Sequence, residues 1–384
     1  MSDSLLTADQ RMIRDSARAF GRSRLAPTAA ARDRDQPFPR AEMAELGALG
    51  FLGMLVPEAW GGADADHLAY VLAVEEIAAA DGSIGAMMAL HNGLVCNPLL
   101  TRGTEAQKER WLRPLAQGRM NGAFGLTEPE AGSNAFAIRT RAERAAGGWR
   151  LTGSKQFMSN GKSADVAIVF ATTDNDDPRR RISAFLVPPG AEGYSVVRVE
   201  DKLGLGASET CQVALDQVFV PDDQVLGAPG DGYALAMSTL ELGRLGIAAQ
   251  SVGLARAALD EAHRYALQRR TFGKPIIEHQ AVGFRLADML TRVEVARSYL
   301  HHVARLRDAG RPCKTEAAMA KLFASEIAEA VASEAIQVHG GYGYLKDYAV
   351  ERIYRDARIC RIYEGTSDIQ KLIIAGTMAK AGPE

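Results

Sequence analysis

The sequence predicts an α+β protein in three successive parts: an N-terminal helical domain, a middle β-barrel or sheet domain and a C-terminal helical bundle. Three observations carry this. Capping boxes and helical spacing fill the first part of the chain. Short β-type runs separated by turn clusters occupy Asn121 to about Leu226. From about Tyr233 the helical spacing returns and continues to the end. The boundaries fall at 1–120, 121–230 and 231–384.

In the first part, Thr7 and Gln10 have capping-box spacing. Ile13, Ala17 and Phe20 follow at helical spacing, with Arg14, Arg18 and Arg22 on another side. "RAEMAELGALG" is a short helix closed by Gly50. "HLAYVLAVEEIAAAD" is a strongly apolar helix ended by Asp81 and Gly82, and Thr104 with Gln107 form a second capping box before "KERWLRPLAQG". In the middle part the β-type runs are "GWRLTGSKQFM", "VAIVFATT", "ISAFLVPP", "YSVVRVE" and "TCQVALDQVFV". Turn clusters such as "AAGG", "DNDDP" and "PPGAEG" part them, the spacing of a small antiparallel sheet or barrel. In the last part, Met319, Leu322, Phe323, Ile327, Ala330, Val331 and Val338 fall on one broad face of an Ala-rich helix. Ser367 and Gln370 have the S-x-x-Q spacing of a capping box, which starts a final helix near Ser367.

Composition narrows the function. The 384 residues carry a formal net charge of −2, which gives no long-range attraction for nucleic acid or an anionic membrane. No apolar run approaches the ~20 residues needed to span a bilayer. The N-terminus is charged early and lacks the apolar core of a signal peptide. Cys96, Cys211, Cys313 and Cys360 lie far apart, without metal-ligand spacing or a disulfide pattern, and read as reduced thiols of a cytoplasmic protein. The adjacent His301 and His302 point apart on a helix, so no metal site is expected. There is no GxGxxG after a strand, no GxxxxGK[ST] and no GxSxG, which sets aside NAD-type dehydrogenases, kinases and α/β-hydrolases.

Four stretches could carry chemistry, and each has a plain structural reading beside it. Glu364 in "RIYEGTSDIQ" lies in a tight loop just before a helix N-terminus, where a solvated carboxylate is also at home. "FGLTEPEAGSN" is either a surface loop or a set of backbone N–H groups and hydroxyls for a polar or anionic ligand. "RRTFGKPIIEHQ" is either an inter-helix turn or an Arg for a phosphate with an aromatic beside a ring system. The Gly-Gly pair of "QVHGGYGYLKDYAVERIYRDARI" is either a helix end or a place where backbone approaches a ligand closely.

Taken together and in this order, these stretches resemble the acyl-CoA dehydrogenase family over essentially the whole chain. The resemblance rests on "GLTEPEAGSNA", "KLGLGASETCQVALDQVFVP", "GRLGIAAQSVGLA", "RRTFGKPIIEHQAV", "GGYGYLKDYAVERIYRDARI" and "IYEGTSDIQ". It implies a C-terminal four-helix bundle, non-covalent FAD and a homo-oligomer, usually a tetramer. The implied reaction is α,β-dehydrogenation of an acyl-CoA to the trans-2-enoyl-CoA. Electrons pass to electron-transfer flavoprotein.

The resemblance makes Glu364 the base that takes the α-proton while the β-hydrogen goes to flavin N5. The other position for a base in this family, immediately before an arginine, holds Gly243 here, beside Arg244. For FAD, the matching positions are Phe124, Leu126, Thr127, Gly132, Ser133, Phe157 and Ser159. Arg269, Thr271, Phe272 and Gln280 match residues that reach the flavin of a neighbouring subunit. Gln337, Gly340, Gly341, Thr366 and Asp368 complete the FAD set. Ser133, Glu241, Arg244, Tyr363 and Gly365 match substrate positions. Phe157 stands where most members have Trp, Ser159 where Thr is usual and Asn134 where Asp is common. "LHN" at 90–92, Phe157 and "HGGYGYLKDYAV" look most like branched short-chain members, and "GRLGIAAQSVGLA" like straight short-chain ones. Two readings stay beside this one: an O₂-reactive oxidase or flavin monooxygenase of the same fold, and a non-catalytic flavin-binding assembly protein.

Overall fold

A computed structural model describes residues 5–174, 177 and 180–381. Helices α1 (Ala8–Phe20), α2 (Ala29–Asp35), α3 (Arg40–Ala48), α4 (His67–Ala80) and α5 (Gly82–Leu90) come first. A π-helical turn, His91–Cys96, leads into α6 (Asn97–Arg102), α7 (Glu105–Gln107) and α8 (Arg113–Ala116). Both capping boxes form: Thr7 with Gln10 opens α1, and Thr104 with Gln107 opens α7. The arginine side of α1 is engaged with the rest of the fold: Arg14 is buried, and Arg18 pairs with the buried Glu76 of α4 at 3.0 Å. Arg256 holds the same carboxylate at 2.6 Å, so its burial is balanced by two cations.

Strands β1 (Gly122–Gly125), β2 (Arg141–Ala145), β3 (Gly148–Ser159), β4 (Val166–Thr172), β5 (Ile182–Val187), β6 (Tyr194–Val199), β7 (Thr210–Pro221) and β8 (Val225–Leu226) form one sheet. Its order is β6-β7-β3-β2-β4-β5-β8, with β1 on β4. The sheet is mixed rather than purely antiparallel, because β1 and β2 both run parallel to β4. The β2–β3 hairpin returns the chain to β4 in the direction in which β1 left it. The predicted turn "DNDDP" lies outside the described residues except for Asp174 and Asp177.

The rest is helical: α9 (Gly232–Gln268), a small hairpin of β9 (Arg270–Thr271) and β10 (Lys274–Pro275), α10 (Gln280–Asp308), α11 (Lys314–His339), α12 (Ala349–Arg358) and α13 (Ser367–Ala381). The expected face of α11 is turned inward in part: Ile327, Val331 and Val338 are buried and Met319, Leu322 and Ala330 half-buried, whereas Phe323 is exposed and Ala317, Ala320, Ala324, Ala328 and Ala335 complete the buried stripe. The small side chains let α11 lie close along α9. The N-terminal helices and the C-terminal bundle share one apolar core: Leu68, Val71 and Val74 of α4 pack with Val252 and Leu254 of α9. A second core joins one face of the sheet to the N-terminal helices and the start of α9.

Candidate active site

Glu364 sits on the short loop between α12 and α13. Its φ is +51°, and that of Gly365 is +93°. A non-glycine residue in the left-handed region costs about 1–3 kcal/mol and persists where its surroundings hold it. Two buried side chains do so here. Lys321 Nζ donates to the Gly365 carbonyl at 2.7 Å, and Gln370 Nε2 donates to the same oxygen at 2.8 Å. The helix that follows is capped by Thr366, whose Oγ1 accepts from the Ile369 N–H at 3.3 Å. Ser367, expected to be the cap, is the first residue of α13, and Gln370 serves the loop instead.

The loop turns the carboxylate inward. Although Glu364 as a residue is half-buried, its Oε2 is closed off from solvent and meets no hydrogen-bond partner among the described residues. It occupies the space that a side chain at position 243 would fill: a Cβ on Gly243 would lie 1.8 Å from Glu364 Oε2 and 3.1 Å from Leu94 Cδ2. Arg244, also buried, has no partner for Nε or Nη1 among the described residues. Burial pushes the Glu364 carboxyl up to about 7, against the pull of Lys321 and Arg244. Burial lowers the Arg244 guanidinium while Glu241 and Glu364 oppose it. The Tyr363 hydroxyl donates to Gln250 Oε1, and Gln250 Nε2 donates to the Gly82 carbonyl at 3.2 Å. Glu241 is half-buried and accepts from Arg307 Nη1 at 3.3 Å, whereas Arg244 keeps two buried donors without a partner among the described residues.

The sheet supplies a second surface. The β3–β7 ladder shifts register between Lys155 and Met158, and Phe157 within that bulge has φ +55°. The bulge turns the Phe157 ring outward, 64% exposed, and leaves Ser159 half-buried next to it. The Gln156 N–H donates to the Thr127 carbonyl at 2.8 Å, tying the bulge to the "GLTEPE" loop. Lys155, fully buried, pairs with Glu128 at 2.7 Å, and Glu128 accepts from the Arg139 and Thr140 N–H groups at 2.6 and 2.9 Å. Leu126 is buried beneath this loop and Thr127 is half-buried. Phe124 is half-buried edge-on to Phe170. Gly132 and Ser133 are exposed at its far end.

The π-helical turn His91–Cys96 joins the two surfaces. A Cβ on Gly122 of β1 would lie 2.3 Å from Val95, and one on Gly93 would lie 3.6 Å from Gly243 Cα. Asn160 Nδ2, next to Ser159, donates to the Gly122 carbonyl at 3.1 Å.

A separate cleft of about 460 Å³ lies at the far end of α9 and α11. Arg269, Thr271, Gly340 and Gly341 line it together with Tyr265 and Tyr342, and none of the residues around Glu364 does. The Arg269 guanidinium lies 5.7 Å from the Tyr342 ring centroid. Phe272 is 96% exposed at the hairpin tip, and Gln280 and Gln337 are exposed on their helices. Asp368 is exposed and pairs with Lys371 at 3.8 Å. The predicted cofactor residues are therefore spread over the chain: one group on the sheet, Arg269, Thr271, Gly340 and Gly341 in this cleft, and Thr366 and Asp368 beside the Glu364 loop.

Three family profiles match in chain order: the acyl-CoA dehydrogenase N-terminal domain over residues 7–119, the middle domain over 123–218 and the C-terminal domain over 230–379. The chain belongs to the acyl-CoA dehydrogenase family. An acyl-CoA dehydrogenase of Bacillus subtilis (strain 168) is 45% identical over 370 residues, 96% of this chain and 98% of that protein. The mitochondrial short-chain specific acyl-CoA dehydrogenase of Homo sapiens is 43% identical over 376 residues, 98% of this chain and 91% of the relative. The solved structure of butyryl-CoA dehydrogenase from Megasphaera elsdenii superimposes with a TM-score of 0.94 at 41% identity, covering 97% of this chain and 98% of that one. As an acyl-CoA dehydrogenase the chain is an FAD-dependent oxidoreductase. The residues fit that cofactor. Phe157 offers an exposed ring beside the Ser159 hydroxyl. In the cleft, nothing lies within 4 Å of a Cβ built on Gly340 or Gly341, so backbone there is open to close approach. Among the described residues no helix is long and apolar enough to cross a membrane, and no cluster suits a metal ion.

Sequence reasoning missed Lys321 and the Lys155–Glu128 pair, and it read Gln370 as part of a helix cap rather than as a support of the Glu364 loop. Lys321 left a readable signal, a lone Lys on the small-residue stripe of α11. The ion pair joins residues 27 positions apart, which no local pattern shows.

Proposed function

We propose that this protein dehydrogenates short acyl-CoA thioesters, with Glu364 as the base that removes the α-proton. The observation that carries the reading is Glu364 Oε2, turned inward, closed off from solvent and without a hydrogen-bond partner among the described residues. A buried carboxylate without a partner is costly unless a ligand uses it. With its pKa raised to about 7, it is a stronger base than an ordinary carboxylate and is still ionised in a useful fraction at neutral pH.

The chain's residues divide the work. Glu364 Oε2 takes the α-proton, the Cα–Cβ double bond forms, and the β-hydrogen leaves with its electron pair. FAD, when bound, supplies the acceptor for that hydrogen and its two electrons. Thr127, Phe157 and Ser159 would hold its ring end, with Leu126 and Phe124 packed beneath the loop. Ser133 and Arg244 would take polar parts of the substrate. Tyr363 and Gly365 flank the base, and the Tyr363–Gln250 hydrogen bond fixes one wall.

Short-chain preference is supported by the butyryl-CoA and short-chain relatives. Electron-transfer flavoprotein is the proposed acceptor. A solved chain reported in work on the electron transferring flavoprotein of Acidaminococcus fermentans supports this, with a TM-score of 0.96 at 42% identity over 98% of this chain and 99% of that chain. A homo-oligomer is supported by apolar side chains left exposed along α10, Phe284 at 69% and Val295 at 53%.

The test is an anaerobic titration of the flavin-loaded protein with butyryl-, isobutyryl- and octanoyl-CoA. Bleaching of the flavin by a short chain is expected. The Glu364→Gln variant should bind the same thioester, seen as a shifted flavin spectrum, without bleaching. A Glu364→Gln variant that bleaches at the wild-type rate overturns the assignment of the base.

A further inference from the structure

Lys321 is fully buried on α11 among Ala317, Ala318, Ala324 and Ala328. An ammonium has three donors, yet Nζ makes one hydrogen bond among the described residues, to the Gly365 carbonyl at 2.7 Å. Burying a charge with so little direct satisfaction is expensive. A Met of similar volume would fill the same space without that cost. The charge therefore needs a use, and it sits at the carbonyl of the residue after Glu364, within electrostatic reach of that carboxylate. The groups facing this pair are few. Arg244 on α9 is a second cation, and Glu241 lies beside it. Tyr70 on α4 and Tyr363 face Glu364, and Cys360 faces Lys321.

We propose that Lys321 is a positioning residue for the base: its hydrogen bond fixes the Glu364–Gly365 turn, and its charge keeps the Glu364 carboxylate ionised at neutral pH. The inference rests on Glu364 being the base. Gln370 Nε2 donates to the same carbonyl at 2.8 Å, so the turn keeps one donor when Lys321 is replaced. The electrostatic part of the role is thereby separable from the tether. Burial also lowers the Lys321 ammonium to about 8 while Glu364 and Cys360 raise it, so its charge fades in the alkaline range, where Glu364 is already ionised.

Two variants separate charge from tether. Lys321→Met removes both, and Lys321→Gln keeps a donor without the charge. In each, the acid limb of kcat/KM for acyl-CoA dehydrogenation should move up by about one pH unit, a roughly tenfold loss at pH 6 that closes above pH 8. The carboxylic-acid C=O stretch that disappears in Glu364→Gln should titrate with the same upward shift in infrared difference spectra, a readout independent of turnover. An acid limb and a C=O titration unmoved in Lys321→Gln overturn the electrostatic role. Should Lys321→Met fail to fold, Lys321→Gln decides alone. Activity surviving in Glu364→Gln would sink the choice of base and this inference with it. An inactive Glu364→Gln beside unshifted Lys321 variants removes only the inference.

Discussion

Glu364 and Gly243 occupy one volume: a Cβ on Gly243 would lie 1.8 Å from Glu364 Oε2. The loop position proposed for the base and the position before Arg244 on α9 thus exclude each other in this chain. Gly243→Ala should push the carboxylate aside while leaving the helix intact. A displacement of about 1 Å at a reacting group costs on the order of 10²-fold in rate. Stopped-flow flavin reduction should show that loss with FAD content unchanged, and a Gly243→Ala enzyme of normal rate would mean the carboxylate has other room.

The same burial predicts a stability signature. The folded-state pKa of Glu364, about 7, lies above its ordinary value of 4.5. The folded protein therefore holds a proton that the unfolded chain has lost between those pH values. Stability falls as pH rises through that window, and the full penalty is present above it. Glu364→Gln removes the penalty. It should raise stability at pH 8 by about 1–3 kcal/mol and make no difference near pH 4. Thermal melts of both proteins across this range check it; equal gains at both ends would point to a cause other than ionisation.

Much of this was legible before any coordinates, and the reasons differ by residue. Thr7 and Thr104 announce helix starts because a capping box is a local device, complete within four residues. Strands β3 to β7 follow from runs that are equally local, whereas β1, β2 and β8 were not read from the sequence. The failures are non-local. Nothing near Arg18 in the sequence shows its partner, Glu76, which lies 58 positions away. Phe323 reads as core until the closeness of α9 makes the Ala stripe the buried one. Ser367 lost the cap to Thr366 because the left-handed pair Glu364–Gly365 ends one residue earlier than the motif suggests. The site residues came from motif resemblance. Their division into a sheet group and a cleft group is a matter of tertiary distance.

Lys155 and Glu128 form the buried pair that holds the "GLTEPE" loop against β3. Removing one partner of such a pair leaves an uncompensated charge, at a cost of about 3 kcal/mol. Lys155→Met should therefore lower the urea midpoint clearly and loosen FAD, since Leu126 and Thr127 lie on the freed loop. Adding Glu128→Gln should recover part of the stability by removing the stranded charge. A Lys155→Met protein as stable as wild type would show that the Arg139 and Thr140 N–H groups suffice for Glu128.

Arg269 lies in the cleft with Thr271, Gly340 and Gly341, and no residue around Glu364 lines that cleft. If one FAD used both groups of one chain, it would have to bridge these surfaces. The alternative is that the cleft of one subunit completes the FAD site of another. The second arrangement suits the exposed Phe272 at the hairpin tip and the apolar residues along α10, which a neighbouring subunit would cover. It predicts that flavin and assembly are lost together. Arg269→Ala removes a cation that would meet the anionic part of FAD, and charge-assisted bonds of this kind are worth about 1.5–3 kcal/mol, roughly tenfold to a hundredfold in affinity. Gel filtration with absorbance read at protein and flavin wavelengths should show Arg269→Ala eluting with less FAD. Dilution of the wild type until the oligomer dissociates should release FAD at the same point. A monomer that elutes with its full flavin complement would place both halves of the cofactor site on a single chain and end the shared-site reading.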